Sequence, residues 1–156
     1  MGPSSFFFPP RQEIFTRSIL GIMLASIFGV LSLIHVYWAA GGKAGLGSGV
    51  PSEGGKPVFE PSAATTLMVA AGLAAAMLVT LGSLDWFGQA IPPLIFDWLT
   101  LAIALLFLLR AIGDFRLVGF FKKPSDSPFA YWDTILYSPL CVLITLLAFA
   151  VLWLRP

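Results

Sequence analysis

The chain is 156 residues long, 58% hydrophobic and only 11% charged, with a mean hydropathy of +0.89. Soluble domains carry about 25% charged residues, so a water-facing globule is excluded, while four membrane crossings of about 20 apolar residues each fit the length. Nine Lys and Arg against eight Asp and Glu give a net charge of +1 with no run of like charge, which argues against nucleic-acid binding.

The first predicted span covers about residues 19–40, uncharged from Ser18 to Ala40 after Arg11, Glu13 and Arg17. It is longer than the apolar part of a typical signal peptide and is followed by no clear small-x-small cleavage site, so a retained helix is expected. Upstream, Phe6 stands where a myristoylation signal needs Ser or Thr, and no lipid is expected there. Residues 41–61 are rich in Gly, Pro and Ser without apolar periodicity and read as an irregular loop. Within it, Gly54-Gly55-Lys56 is not a phosphate-binding loop, because the spacing to Gly49 is wrong and Pro57 replaces the Ser or Thr. The second span covers about residues 62–81, and the short link from Gly82 to Pro92 carries Trp86 and Phe87, residues suited to a membrane interface. The third, about residues 93–112, opens at Pro92-Pro93 and holds Asp97 near one end and Arg110 near the other. The loop 113–132 mixes Arg116, Lys122 and Lys123 with Phe120, Phe121, Phe129, Tyr131 and Trp132, as a half-immersed segment would. The fourth, about residues 133–154, starts at Asp133 as N-cap and stops at Arg155; Pro139 either kinks it or opens it with Ser138 as the cap. The expected fold is all-α: a single membrane domain forming a four-transmembrane-helix bundle.

Gly21, Ala25 and Gly29 recur every four residues, a stripe that lets another helix approach closely. Ser32 and His35 fall on or near it, so His35 is expected to face protein. The Ala-rich second span is expected to be the central packing partner.

Four spans put loops 41–61 and 113–132 on one side, where the polar residues concentrate. His35, Tyr37 and Trp38 come from the first span, Arg110, Asp114 and Arg116 from the third and its exit, and Asp133, Tyr137 and Ser138 from the fourth, with Lys122 in the loop between. Ionisable groups at membrane depth are expensive and are usually paired or functional. The expected pairs are Arg110 with Asp114, and His35 with Asp114 or Asp133. The candidate catalytic residues are His35, Asp114, Asp133 and Tyr137; a ligand or partner face would use Tyr37, Trp38, Arg110, Arg116, Lys122 and Ser138. Each has a structural alternative: a snorkelling Arg110 at a helix C-terminus, a capping Asp133, a hydrogen-bonded core His35, and interfacial anchors at Trp38, Tyr131 and Trp132. Asp97 lies roughly 20 Å from Arg110 at 1.5 Å per residue, belongs to the opposite end, and is expected to meet Thr100, water or a loop.

A single cysteine, Cys141, rules out an internal disulfide, and a single histidine rules out a His-rich metal site or a haem held by two histidines of one chain. No metal or cofactor is implied. Loops 41–61 and 113–132, with the end of the third span, carry six basic residues (Lys43, Lys56, Arg110, Arg116, Lys122, Lys123), against three elsewhere (Arg11, Arg17, Arg155). The positive-inside rule then places both termini outside.

The string His35-Val36-Tyr37-Trp38-Ala39-Ala40-Gly41-Gly42, followed by Gly45 and Val50-Pro51, resembles the first signature of the DUF3995 family of small bacterial membrane proteins. The second signature is similar to Leu109-Arg110-Ala111-Ile112-Gly113-Asp114-Phe115-Arg116 with Val118-Gly119-Phe120-Phe121-Lys122, then Phe129-Ala130, Asp133 and Leu136-Tyr137-Ser138-Pro139-Leu140-Cys141. The resemblance implies a bacterial protein of the inner (cytoplasmic) membrane and brings no established activity.

Three functions are carried forward. The first is a binding or accessory protein whose loop face holds a lipid headgroup, a small ligand or another membrane subunit. The second is a membrane-embedded enzyme on a lipid-soluble substrate, with His35 as general acid or base and Tyr37, Tyr137 or Arg110 stabilising charge. The third is a proton-linked transporter built as a homo-oligomer. The bilayer is the one partner common to all three.

Overall fold

A computed structural model describes residues 11–53, 56–88 and 91–155. The N-terminal stretch considered for myristoylation, and Gly54 and Gly55 of the rejected phosphate-loop pattern, lie outside the described residues. The elements in chain order are α1 (Arg11–Ala39), α2 (Leu46–Gly49), β1 (Ser52–Glu53), β2 (Lys56–Pro57), α3 (Ala63–Ser83), α4 (Pro93–Ile112), α5 (Pro128–Trp132), a π-helical turn (Asp133–Tyr137) and α6 (Ser138–Trp153). Four runs are long and apolar enough to cross a membrane: α1, α3, α4 and the continuous stretch Pro128–Trp153.

Local chemistry explains the boundaries. Arg11, Gln12 and Glu13 favour helix, and the hydroxyls of Thr16 and Ser18 donate to the carbonyls of Gln12 and Ile14, so α1 starts well before the uncharged run. Ser62 caps α3 by accepting from the Thr65 amide at 3.1 Å. Pro93 occupies the first turn of α4, where a missing N–H does no harm. The last helix opens earlier than expected, at Pro128, because Ser127 rather than Asp133 is its cap, accepting from the Ala130 amide at 3.1 Å. Pro139 neither opens nor breaks it. Its ring would clash with the carbonyl four residues back, and the chain widens into the π turn instead, the Ser138 amide reaching the Asp133 carbonyl five residues earlier.

Loop 41–61 is more ordered than its composition implies. It holds the short α2 and a two-residue antiparallel ladder pairing Ser52 with Pro57 and Glu53 with Lys56, continued by the Val58 amide on the Pro51 carbonyl.

Around the molecule α1 packs on α3, α3 on α4, α4 on α6 and α6 on α1. The small-residue stripe meets α3: Gly21 lies under Leu84, Gly29 under Met77, and Ser32 donates to the Ala70 carbonyl at 2.9 Å. The Ala-rich α3 lies against both α1 and α4, and its contact with α1 is the most extensive between any two helices. The core takes its bulk from Leu24 and Phe28 of α1 and Ile144 and Leu147 of α6, with Ala76, Ala104 and Ala148 between them. Outside this core the four long helices between them leave Leu, Ile, Met, Phe and Trp side chains exposed on their outer faces.

Candidate functional site

The polar centre forms where α4 ends. Gly113 takes a positive φ of 93°, and the chain turns through Asp114–Gly119 back over the helix end. The amides of Gly113, Phe120 and Phe121 close on the carbonyls of Leu109, Ala111 and Ile112, satisfying acceptors that a helix C-terminus leaves open. Gly113 and Gly119 touch backbone to backbone; a Cβ on either would overlap main-chain atoms of the other arm of the turn. Asp114 holds the turn from outside, its Oδ1 accepting from the amides of Arg116, Leu117 and Val118 at 2.9, 2.7 and 3.0 Å. Bonds from Val118, Leu117 and Arg116 favour the carboxylate and pull its pKa down to about 2.

That turn delivers the Gly119 amide to Asp133, which is fully buried. Asp133 Oδ1 accepts from Arg110 Nη2 at 2.8 Å; Oδ2 accepts from the Gly119 amide at 2.8 Å and the Ser138 hydroxyl at 3.3 Å, and faces Lys122 Nζ at 3.1 Å. Lys122 also donates to the Gly119 carbonyl at 3.0 Å and to Thr134 Oγ1 at 2.7 Å, so its three protons all have acceptors. Arg110 Nη1 is buried without a partner among the described residues. Two cations therefore share one carboxylate, and the cluster keeps an excess positive charge.

Several expected contacts are replaced. Arg110 pairs with Asp133 and not with Asp114, because the helix ends at Ile112 and Asp114 is taken up by its own turn. His35 meets neither acid: its Nδ1 lies 2.8 Å from the Leu31 carbonyl one turn back, and its ring meets the Trp38 edge at 5.0 Å. The Leu31 carbonyl can only accept, so Nδ1 carries the proton. Asp133 is a buried anion and not a cap. Asp97 is paired with Arg155, from the end of α6; Asp97 Oδ1 and Thr100 Oγ1 are without partners among the described residues.

Tyr37, Trp38 and Tyr137 fasten loop 41–61. Trp38 Nε1 donates to the Ala44 carbonyl at 2.8 Å, and its ring covers Gly45 and Gly49. Tyr37 stacks on Gly42 and accepts from the Ala44 amide at 3.4 Å. Tyr137 donates to the Ser48 carbonyl at 3.2 Å, bringing the loop to the fourth span. Between the two loops lies a cleft of about 850 Å³, walled by Leu46, Gly47, Val50 and Phe59 on one side and Ser125, Asp126 and Ser127 on the other. Sequence reasoning missed these lining residues, Thr134 and the Gly119 amide. Gly113 and Gly119 bracketing Asp114 was the available signal, since paired glycines around an Asx turn mark a tight backbone approach.

Among the described residues no group of three metal-ligating side chains converges. What the geometry defines is a class: an all-α chain with four helices of membrane-crossing length, whose buried polar cluster orders one of two loops that flank an open cleft. The chain belongs to the family described as "Protein of unknown function (DUF3995)", which matches residues 28–148 and so takes in both the cluster and the cleft. Comparison with curated proteins and with solved structures returned no match.

Proposed function

We propose that this is a small integral membrane protein acting as a binding or accessory subunit through the face formed by loops 41–61 and 113–132. The observation that carries the reading is the 850 Å³ cleft between those loops, within the 300–1,000 Å³ range of small-molecule sites and mixed in its apolar and hydroxyl lining. The ionisable groups nearby support binding over catalysis. Asp133 is committed to Arg110 and Lys122, Asp114 to its turn, and His35 to its own helix, so among the described residues no acid orients a histidine base.

Native mass spectrometry of the protein extracted from its own membrane tests this. Gly47 faces open space at the cleft wall, so Gly47→Trp fills the cleft without disturbing the packing. The expected result is a reproducible added mass on the wild-type chain that the variant loses. A bare 16.8 kDa chain in both samples, or an added mass indifferent to the substitution, overturns the proposal.

The same reading places the protein in a bacterial cytoplasmic membrane with both termini outside. Arg17 and Arg155 serve helix packing at the opposite end, which leaves Arg11 there against Lys43, Lys56, Arg116 and Lys123 on the loop face. Reporter fusions at residue 50 and at the C-terminus check this; a cytoplasmic C-terminus reverses it.

A further inference from the structure

The large cleft carries a charge pattern of its own. Leu46, Val50 and Phe59 give it apolar wall, and its charged lining side chains, among the described residues, are two carboxylates: Glu60 from loop 41–61 and Asp126 from loop 113–132. Elsewhere in the chain the aspartates are engaged: Asp85 and Asp97 face arginines, Asp114 closes its own turn, and Asp133 gathers Arg110 and Lys122. Glu60 and Asp126 are exposed and make no hydrogen bond or ion pair among the described residues. Asp126 is nevertheless carried on an ordered turn, since the Ser125 hydroxyl accepts from the Ser127 amide at 3.3 Å and the Ser127 hydroxyl from the Ala130 amide at 3.1 Å. Lys122 and Lys123 line two adjoining spaces and not this cleft. Asp126 also borders one of those spaces, whereas Glu60 lines neither of them.

Two carboxylates on facing walls repel each other, and no described lining side chain neutralises them. A positive charge brought between them relieves that repulsion and is attracted by both, while an anion is turned away. The rest of the wall decides which cation fits. A divalent metal ion takes about six oxygen ligands, and among the described residues no group of three His, Cys, Asp or Glu side chains converges. Leu46 and Val50 offer such an ion nothing, but they can cover the carbon skeleton of an organic cation. The exposed Phe59 ring, next to Glu60 in the chain, adds aromatic surface of the kind that attracts ammonium groups. A space of about 850 Å³ is also far larger than an inorganic ion fills.

We infer that the cleft takes an organic cation with an apolar body, an amine or quaternary ammonium whose charge lies between Glu60 and Asp126 and whose skeleton covers Leu46, Val50 and Phe59. This rests on the reading of the cleft as a binding site, and it names the chemical class of the ligand.

The test is isothermal titration calorimetry of the full chain in maltoside micelles, blanked against empty micelles, with phenylbutylamine, phenylbutanol and phenylbutyrate, which share one skeleton and differ in charge. The amine should bind about tenfold more tightly than the alcohol, and the carboxylate most weakly. Glu60→Gln should weaken the amine about fivefold and Asp126→Asn about threefold, the scale of exposed ion pairs, and neither should move the alcohol. Both substitutions change exposed side chains without partners, so the fold is not at risk. Gly47→Trp should abolish binding of amine and alcohol alike, and magnesium at the concentration of the amine should not displace it. Equal affinity for amine and alcohol, tighter binding of the carboxylate, indifference of the amine to both acid variants, or displacement by magnesium would each overturn the assignment. The native adduct separates this from the reading beneath it. An added mass that Gly47→Trp removes, beside probes that fail to bind or show no charge preference, keeps the binding cleft and removes the cation; no adduct and no probe binding removes both.

Discussion

At the end of the molecule where α1 begins and α6 finishes, two arginines tie helices together; at the opposite end a single aspartate gathers two cations. Arg17 reaches from α1 to the C-terminal ends of two other helices, donating to the Ser83 carbonyl through Nη2 and to Val151 through Nε at 3.3 Å. Arg155 joins the end of α6 to the start of α4 through Asp97 and the Pro93 carbonyl. Cations at helix C-termini satisfy open carbonyls and complement the dipole, and Asp85 and Asp97 balance the two arginines. The Asp133 cluster instead anchors a loop that leaves the helices, keeps a positive excess, and borders open space. The difference separates an end closed by helix-to-helix ties from an end whose cluster borders open space.

The largest expected effect breaks the second arrangement. Asp133→Ala strands Arg110 and Lys122 beside a buried gap and should destabilise the fold by about 3–5 kcal/mol, the range for removing one partner of a buried ion pair. Unfolding in mixed micelles measures it, and a loss under about 1 kcal/mol would mean that water already solvates the cluster. At the other end, Arg17→Met removes donors from two buried carbonyls and should lose about 1–3 kcal/mol in the same assay. Asp85 lies 3.7 Å from Arg17 but is 64% exposed, so Asp85→Asn should change stability by no more than about 1 kcal/mol. If the aspartate variant were as damaging as the arginine variant, the ion pair and not the helix ends would hold that end together.

The four spans were legible because each is a run of apolar residues longer than the hydrocarbon is thick, a signal that survives without tertiary information. The region of the site was legible for a related reason, since four crossings force loops 41–61 and 113–132 to one side. The pairings were not. Reading Arg110 with Asp114 assumed that the helix continues, but Gly113 ends it and returns the chain so that Asp114 meets three amides of its own turn. Reading Asp133 as a cap depended on where the last helix starts, and Ser127-Pro128 supplies an earlier start. Both errors come from backbone turns that set side-chain partners several residues away, which periodicity cannot report.

Asp114 offers a smaller and pH-dependent test of that turn. Its pKa is lowered from 3.8 to about 2 by the amides of Val118, Leu117 and Arg116, so its contribution is fully present above about 3.8 and is lost as pH falls through about 2. The backbone amide NMR signals of those three residues should titrate together with a midpoint near 2. A midpoint at 3.8 would show the turn open in solution, and the Gly119 amide would then no longer be held toward Asp133 by this device.

The smallest expected effect falls on His35, which lies at the loop end of α1 yet stands outside the Asp133 cluster. His35→Gln can keep a donor for the Leu31 carbonyl and loses chiefly the edge contact with Trp38, so stability should change by about 0.5 kcal/mol or less. The Asp133 bonds share no atom with it, and the added mass seen on the wild-type chain should be retained. If His35→Gln kept its stability but lost that mass, the imidazole would be meeting the ligand directly. The division at this end between a packing histidine and a charge-holding aspartate would then have to be redrawn, with His35 restored as a candidate for proton transfer.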